Sequence, residues 1–167
     1  QIRDATAADL PVVVAIYNVE VRTGTSTYAH EELTLAERAD RFVEQSAQGL
    51  PLLVAVEGGR VLGFAGYAPF RPRTGYNRTM EHSVYLDGDA RGRGLGRALM
   101  VAIIERARAN GVHVLIGALD ATNEASVRLH KSLGFTEVGR LPQVAHKFGR
   151  WLDLALFELV LDEASAP

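Results

Sequence analysis

The stretch VYLDGDARGRGLGRALM, residues 84–100, decides the fold class. An apolar run that ends at Leu86 is typical of a strand, and the apolar residues from Leu95 onward recur at helical spacing. The segment between them is rich in glycine and arginine. Such a junction leaves backbone N–H groups free at the start of a helix, where an anion binds favourably. The sequence therefore predicts an anion-binding loop between a strand and a helix.

Three known types of glycine-rich loop are possible interpretations of this stretch. A P-loop for nucleotides requires Gly-Lys-Ser or Gly-Lys-Thr, which does not occur in the sequence. A dinucleotide fingerprint fails whether it is counted from Gly92 or from Gly94, because its sixth position is too large. The third pattern, Arg-x-x-Gly-x-Gly, is met by Arg91, Gly94 and Gly96. From the loop alone, a glycine turn without a ligand remains the alternative.

The composition predicts a single globular domain over residues 1–167. Hydrophobic residues make up 47% of the chain and charged residues 23%, and the net charge of −2 argues against a nucleic-acid partner. No cysteine is present, which excludes disulfides and thiolate metal sites. No apolar run approaches the roughly 20 residues that span a bilayer. We expect a cytoplasmic protein with no metal site and no membrane or nucleic-acid partner.

Local signals predict the element order β-α-α-β-β-β-α-β-α-β-β, a mixed α/β layer. Capping boxes at Thr6 and Thr34 open the first two helices, and Asn123 is a good N-cap for the last. Gly58-Gly59 is typical of a hairpin turn. The predicted strands are Ile2–Ala5, Leu52–Glu57, Val61–Ala68, Thr79–Leu86, Val112–Leu119, Phe135–Gly139 and Trp151–Leu161.

The Arg-x-x-Gly-x-Gly loop resembles the pyrophosphate loop of the GCN5-related N-acetyltransferases, the GNAT superfamily, which bind acetyl-CoA. The segment NEASVRLHKSLGF, residues 123–135, is similar to a second signature, in which Asn opens a helix and Gly-Phe ends it. The segments EHSVYL, residues 81–86, and PQVAHKFGRW, residues 142–151, narrow the resemblance to the phosphinothricin acetyltransferase branch. That branch includes methionine sulfoximine and methionine sulfone acetyltransferases.

The resemblance implies a fold, a co-substrate and an assembly. The fold is a central, mostly antiparallel twisted sheet that is splayed between two strands, with helices on both faces. The assembly is a homodimer, and the late loop Lys147–Trp151 closes on the active site or on a partner subunit. Acetyl-CoA is the co-substrate, and the residues expected to hold it are Val84, Tyr85, Leu86, Arg91, Gly92, Arg93, Gly94, Leu95, Gly96, Arg97 and Asn123.

Glu81 is the candidate general base, because it matches the glutamate that the family is thought to use. Strand alternation places Glu81 and Ser83 on one face, opposite His82. A carboxylate on an apolar sheet beside a cleft has a raised pKa, nearer to the working pH. A solvated edge carboxylate is the alternative for Glu81. His82 is an alternative base, a pocket residue or a buried core histidine.

His130 is the candidate acid for the leaving thiolate, or a substrate contact. Many members of the superfamily have a tyrosine at this position, whereas a histidine agrees with the phosphinothricin branch. Packing on the helix face is the alternative for His130. Tyr85 is a weaker alternative acid, and the N–H of Leu86 is a candidate to polarise the acetyl carbonyl.

The loop FRPRTGY, residues 70–76, is expected on the acceptor side of the site. Arginines and tyrosines can hold a carboxylate or the oxygens of a sulfone, sulfoximine or phosphinate. The branch has an Arg-Pro pair here, and a solvated basic loop is the alternative. The predicted substrate-binding residues are Arg71, Pro72, Arg73, Glu81, His82 and Ser83.

The sequence thus predicts an N-acetyltransferase that acts on the α-amino group of a small amino acid-like substrate of the phosphinothricin, methionine sulfoximine or methionine sulfone type. Detoxification is one role for such an enzyme, and a role in metabolism is the alternative. The alternatives are another small amine, an antibiotic or a protein N-terminus as acceptor, and a non-catalytic acyl-CoA sensor.

Overall fold

The computed structural model describes residues 1–162. These residues form seven strands and four α-helices in the order predicted from the sequence. The strands are β1 (Ile2–Asp4), β2 (Leu52–Glu57), β3 (Arg60–Pro69), β4 (Thr79–Leu86), β5 (Val114–Asp120), β6 (Thr136–Lys147) and β7 (Arg150–Val160). The α-helices are α1 (Leu10–Thr23), α2 (Leu35–Ala47), α3 (Leu95–Ala109) and α4 (Glu124–Ser132). Short 3-10 turns cover Ala7–Asp9, Thr74–Tyr76 and Gly88–Ala90.

The chain divides into two compact units, each built from two separate stretches of sequence. Unit 1 contains Gln1–Tyr67 and Ser83–Ile103, and unit 2 contains Ala68–His82 together with the described residues from Ile104 to Asp162. β4 therefore contributes its second half to unit 1 and its first half to unit 2. The single domain stays a prediction, and its predicted end at Pro167 lies outside the described residues.

Unit 1 is built on antiparallel strands and the helices α1 and α2. β1 pairs with β2 and β2 with β3, and β4 lies next to β3 in the strand order. Gly58 and Gly59 join β2 to β3 with φ values of 55° and 80°, the left-handed region that glycine tolerates. This confirms the predicted hairpin. The buried apolar cluster of this unit comprises Leu10, Val13, Ile16, Leu52, Val54, Val61 and Phe64.

Unit 2 contains a parallel strand pair. Residues Thr79–His82 of β4 pair in parallel with Val114–Gly117 of β5. β5 in turn pairs antiparallel with β7 as far as Asp120, and β7 pairs antiparallel with β6. The strand order in this unit is β4-β5-β7-β6. The predicted mixed, mostly antiparallel sheet is confirmed.

Several predicted strand boundaries differ from the structure by one residue, and three boundaries differ by more. β6 was expected to end at Gly139 but continues to Lys147, because it pairs with β7 through two bulges that no local pattern in the sequence reveals. β5 begins at Val114 rather than Val112. The capping box at Thr6 precedes a 3-10 turn, and α1 begins only at Leu10.

Candidate active site

The glycine-rich loop leaves an open backbone surface before α3. Gly92 and Gly94 have φ values of 73° and 80°, and no atom lies within 4 Å of the position that a Cβ would take at either residue. The N–H of Ala98 donates to the carbonyl of Gly94 at 3.0 Å, so the amides of residues 95–97 precede this bond at the start of the helix. The loop can therefore hold an anion such as a diphosphate against backbone amides.

Two arginines of the loop are already paired with carboxylates of unit 1. Arg91 forms an ion pair with Glu20 of α1, whose side chain is only 6% exposed. Arg93 pairs at the surface with Glu57 at 2.6 Å, and this hydrogen bond holds the pKa of Glu57 below its usual value. Sequence reasoning missed both carboxylates, because neither stands near the loop in the chain.

The second half of β4 carries the strand residues predicted to contact the cofactor, and Val84, Tyr85 and Leu86 are half-buried. The Tyr85 ring lies 5.4 Å from the ring of Tyr17 and 5.2 Å from that of Phe64. These contacts join the Tyr85 ring to the apolar cluster of unit 1. They favour a packing role over that of an acid.

The first half of β4 presents Glu81 to solvent and turns His82 inward. The predicted alternation is therefore confirmed, and Ser83 is exposed like Glu81. Surrounding protein desolvates the carboxyl enough to raise the pKa of Glu81, although the residue keeps access to water. A carboxylate with a raised pKa and solvent access has the properties of a general base.

His82 and His130 meet inside unit 2. Their Nε2 atoms are 3.1 Å apart, and Nδ1 of His130 lies 2.8 Å from the carbonyl oxygen of Ser126. Burial lowers the pKa of both imidazoles, to about 3 for His82. The catalytic role of His130 stays a prediction. Since both of its ring nitrogens are engaged within the protein, the arrangement favours the alternative in which His130 acts by packing.

Two glycines frame this histidine pair. Gly134 ends α4 with φ 91°, and the ring of Phe135 that follows lies 5.4 Å from His82 and 5.0 Å from His130. Gly117 of β5 lies opposite His82 in the strand register. Sequence reasoning missed Gly117, although an isolated glycine in a strand is a known sign of a close approach.

Asn123 acts as the predicted N-cap of α4. Its Oδ1 accepts a hydrogen bond from the N–H of Ser126 at 3.1 Å. The cap is therefore confirmed, while a contact between Asn123 and a cofactor stays a prediction.

The loop between β3 and β4 places Arg71, Pro72 and Arg73 at the surface. The guanidinium of Arg71 lies 5.3 Å from the ring centroid of Phe70, which in turn packs edge-on against Tyr76. This aromatic pair supports the arginine loop from within unit 2. The loop thus offers exposed cations that could hold an anionic substrate group.

No cluster of three or more His, Asp or Glu side chains with metal-binding geometry occurs within residues 1–162. None of the helices in that range is long and apolar enough to cross a membrane.

Residues 13–135 match the family model described as Acetyltransferase (GNAT) family. The chain belongs to the GNAT acetyltransferase family. This GNAT chain is 49% identical to the L-methionine sulfoximine/L-methionine sulfone acetyltransferase of Pseudomonas aeruginosa, over 99% of its own length and 98% of that protein. It is 40% identical to the phosphinothricin N-acetyltransferase of Alcaligenes faecalis, over 92% of its own length and 79% of that protein.

A solved structure shows the same fold. The protein yncA of Salmonella typhimurium, solved with its cofactor acetyl-CoA, matches this GNAT chain with a TM-score of 0.98 at 40% identity. The match covers 100% of this chain and 96% of that one. The fold and the family expected from the sequence are confirmed.

The ion pair between Arg91 and Glu20 yields a stability prediction. Glu20→Gln removes a charge that is nearly inaccessible to water, and we expect the free energy of unfolding to fall by about 1–3 kcal/mol. Glu57→Gln removes the same charge from the exposed pair with Arg93 and serves as the matched control, with an expected change of about 0–1 kcal/mol. Urea unfolding measures both, and equal losses would contradict the prediction.

Proposed function

We propose that this GNAT acetyltransferase transfers the acetyl group of acetyl-CoA to the α-amino group of a small amino acid of the methionine sulfone, methionine sulfoximine or phosphinothricin type. The observation that carries the proposal is Glu81, a solvent-accessible carboxylate with a raised pKa. It lies on the strand that leads into the open amide loop. The names of the relatives and the acetyl-CoA in the Salmonella structure support the same function.

Backbone amides make most of the contacts that we propose with acetyl-CoA. The amides around Gly92 and Gly94 and those at the start of α3 hold the diphosphate, and the helix dipole adds favourable charge. The half-buried residues Val84–Leu86 provide main-chain groups for the pantetheine arm, with Arg97 and Asn123 as further contacts. The N–H of Leu86 polarises the acetyl carbonyl.

The reaction requires a neutral amine. The α-amino group at a chain terminus has a pKa of about 7.7–8.0, and the adjacent carboxylate raises this value in a free amino acid, so that only a minor fraction is neutral near pH 7. A lysine side chain, at about 10.4, is charged to a still greater extent. The amine nitrogen attacks the thioester carbon, so that a C–N bond forms and the C–S bond breaks. Glu81 takes the amine proton, directly or through water.

The leaving thiolate has a pKa of about 8.5 and needs little help from an acid. His130 is bonded through both ring nitrogens inside unit 2. We therefore propose that the thiolate takes its proton from solvent. His130 then gives up no proton, and its role is limited to its contacts inside unit 2.

The exposed arginines between β3 and β4 are proposed to select the acceptor. Arg71 and Arg73 carry permanent charge and can bind the substrate carboxylate or its oxidised tail. His82, by contrast, is 6% exposed, which makes a direct substrate contact through its side chain the weakest of the predicted contacts.

We also propose that the enzyme is a homodimer that inactivates a toxic amino acid analogue in the cytoplasm, where acetyl-CoA is available. β6 is the last strand in the sheet order of unit 2 and leaves one edge free for a second copy of the chain. Large apolar side chains are exposed along the β6–β7 hairpin, namely Val138, Leu141, Val144, Phe148 and Trp151.

Glu81→Gln tests the proposed base. We expect kcat to fall by about 100-fold or more, with the KM for acetyl-CoA little changed, because the variant cannot accept the amine proton. Release of free thiol from acetyl-CoA with methionine sulfone as acceptor measures the rate. Glu105→Gln on the exposed side of α3 is the matched control, and full activity in Glu81→Gln would refute the assignment.

The pH profile gives a second readout of the same residue. The base works when deprotonated, so the rate rises with pH as Glu81 loses its proton. Because desolvation raises the pKa of Glu81, the midpoint of this rise lies above the ordinary value of about 4.3. In Glu81→Gln the part of the rise that belongs to Glu81 should be lost, whereas the rise at higher pH, set by deprotonation of the substrate amine, should remain.

Arg71→Ala tests the acceptor side. We expect the KM for methionine sulfone to rise about tenfold while the KM for acetyl-CoA stays the same, since the variant loses one charge-assisted hydrogen-bond donor. Arg128→Ala, which removes an exposed arginine from α4, should change neither value. An unchanged KM for the acceptor would place the acceptor elsewhere.

Trp151→Asp tests the dimer. Trp151 is 64% exposed, and a charge at this position should shift the mass measured by light scattering from two chains to one. Val43→Asp, at an equally exposed site on α2, should leave the mass unchanged. A wild-type protein that runs as a monomer at micromolar concentration would refute the dimer.

A further inference from the structure

His82 and His130 form an imidazole pair inside unit 2, one from β4 and one from α4. Their rings lie side by side, at an interplanar angle of 22° with centroids 5.0 Å apart. The exposed fractions are 6% for His82 and 1% for His130. Such deep burial of two titratable rings in direct contact is unexplained by the reaction proposed above.

The hydrogen-bond partners determine both tautomers. The carbonyl oxygen of Ser126 can only accept, so Nδ1 of His130 carries the proton and donates across 2.8 Å. A neutral imidazole has one N–H, which leaves Nε2 of His130 as an acceptor. Nε2 of His82 therefore donates to it across 3.1 Å. The remaining atom, Nδ1 of His82, is a buried acceptor without a hydrogen-bond partner among the described residues.

The surroundings keep both rings neutral. Burial lowers the pKa of His82 to about 3, with a further contribution from the neighbouring His130. Burial also lowers the pKa of His130, although its bond to Ser126 partly opposes this shift. Aromatic rings pack around the pair, with Phe135 near both histidines and the Phe157 centroid 5.8 Å from His130.

Gly117 provides the space in which the two rings meet. A Cβ at this position would lie 2.8 Å from Nε2 of His130 and 2.9 Å from Nε2 of His82. Even an alanine would therefore crowd both Nε2 atoms from the side of β5, and at least one of the two rings would have to shift. Gly117 also pairs with His82 in the β4–β5 register, and His82 is the last β4 residue in that ladder.

We propose that the His82–His130 hydrogen bond over Gly117 is a positioning device for Glu81. The hydrogen bond fixes His82, the last β4 residue in the ladder with β5, on the buried face of the strand. Because neighbouring side chains of a strand point to opposite faces, it also fixes the direction in which Glu81 presents its carboxylate. This inference rests on the proposed role of Glu81 as the base, and His82 and His130 act through it as positioning residues.

Two substitutions of His82 separate the hydrogen bond from simple packing. His82→Phe keeps an aromatic ring but removes the donor, and we expect kcat to fall about 10- to 100-fold with the KM for acetyl-CoA within about twofold. His82→Gln places an amide N–H near the former Nε2 and should recover at least about a third of the wild-type kcat. Equal losses in the two variants would overturn the proposal.

Gly117→Ala tests the space between the rings. We expect it to lower kcat as His82→Phe does, because its Cβ would lie within 3.0 Å of both Nε2 atoms and would displace at least one ring from the hydrogen bond. Gly139→Ala on β6 is the matched control, since its Cβ would meet nothing closer than 4.0 Å, and it should leave kcat unchanged. Wild-type kcat in folded Gly117→Ala would contradict the proposal.

Coupling to Glu81 is the decisive measurement. In a double-mutant cycle, His82→Phe should cost little further activity once Glu81→Gln is present, because nothing remains to be positioned. Additive losses would overturn the positioning role while leaving Glu81 as the base. Full activity of Glu81→Gln alone would instead refute the proposed base.

The wild-type protein provides a test that needs no variant. Nitrogen-15 spectra of histidine-labelled enzyme at pH 7 should show one buried neutral ring protonated at Nδ1 and one protonated at Nε2. Two rings of the same tautomer, or a charged ring at His82 or His130, would overturn the hydrogen-bond direction on which the proposal depends.

Discussion

The parallel ladder between β4 and β5, four residue pairs long, is the constraint on which the candidate site depends. It fixes Thr79–His82 within unit 2, and the next four residues of the same strand belong to unit 1. The single strand β4 therefore contributes residues to the packing of both units. The half in unit 2 carries the carboxylate and the buried imidazole, and the half in unit 1 carries Tyr85 against an apolar cluster. Alternation along β4 places the side chains of Glu81 and His82 on opposite faces of the strand.

The anion site that we propose at the glycine-rich loop depends on the backbone more than on the cations of the loop. The guanidinium groups of Arg91 and Arg93 are already paired with Glu20 and Glu57. What remains open is the surface of amides at two left-handed glycines and at the first turn of α3. A site of this kind recognises the shape of a diphosphate, since amides must converge on its oxygens. The ion pairs of Arg91 and Arg93 connect the loop to Glu20 of α1 and Glu57 of β2.

The elements and the loop could be predicted because their signals are local. The hairpin at Gly58-Gly59, the cap at Asn123 and the strand-to-helix junction each depend on a few consecutive residues. Three features could not be predicted, because each joins residues that are distant in the chain. They are the histidine pair, the space at Gly117 and the ion pair between Glu20 and Arg91. The extension of β6 was missed for the same reason, since pairing with β7 overrides a weak local pattern.

The sequence allows three roles for His130, namely an acid for the leaving thiolate, a substrate contact or packing on the helix face. The burial of its ring favours packing. A ring that is 1% exposed, with both nitrogens bonded, differs physically from an acid at a solvent-lined site. A match to the family motif identifies the residue type at position 130 but does not describe the environment of that side chain in the fold. The same holds for Glu81, whose raised pKa depends on neighbours brought in by the fold.

The interleaved sequence of the two units has a consequence for how the chain folds. Each unit joins an early stretch to a later one, so neither unit corresponds to a continuous fragment of the polypeptide. Unit 1 cannot be completed until the chain as far as Ile103 has been synthesised, and long loops must close before either set of contacts forms. β1, β2 and β3 are therefore synthesised before the rest of unit 1 exists, and the apolar surface that the later residues cover stays exposed until then.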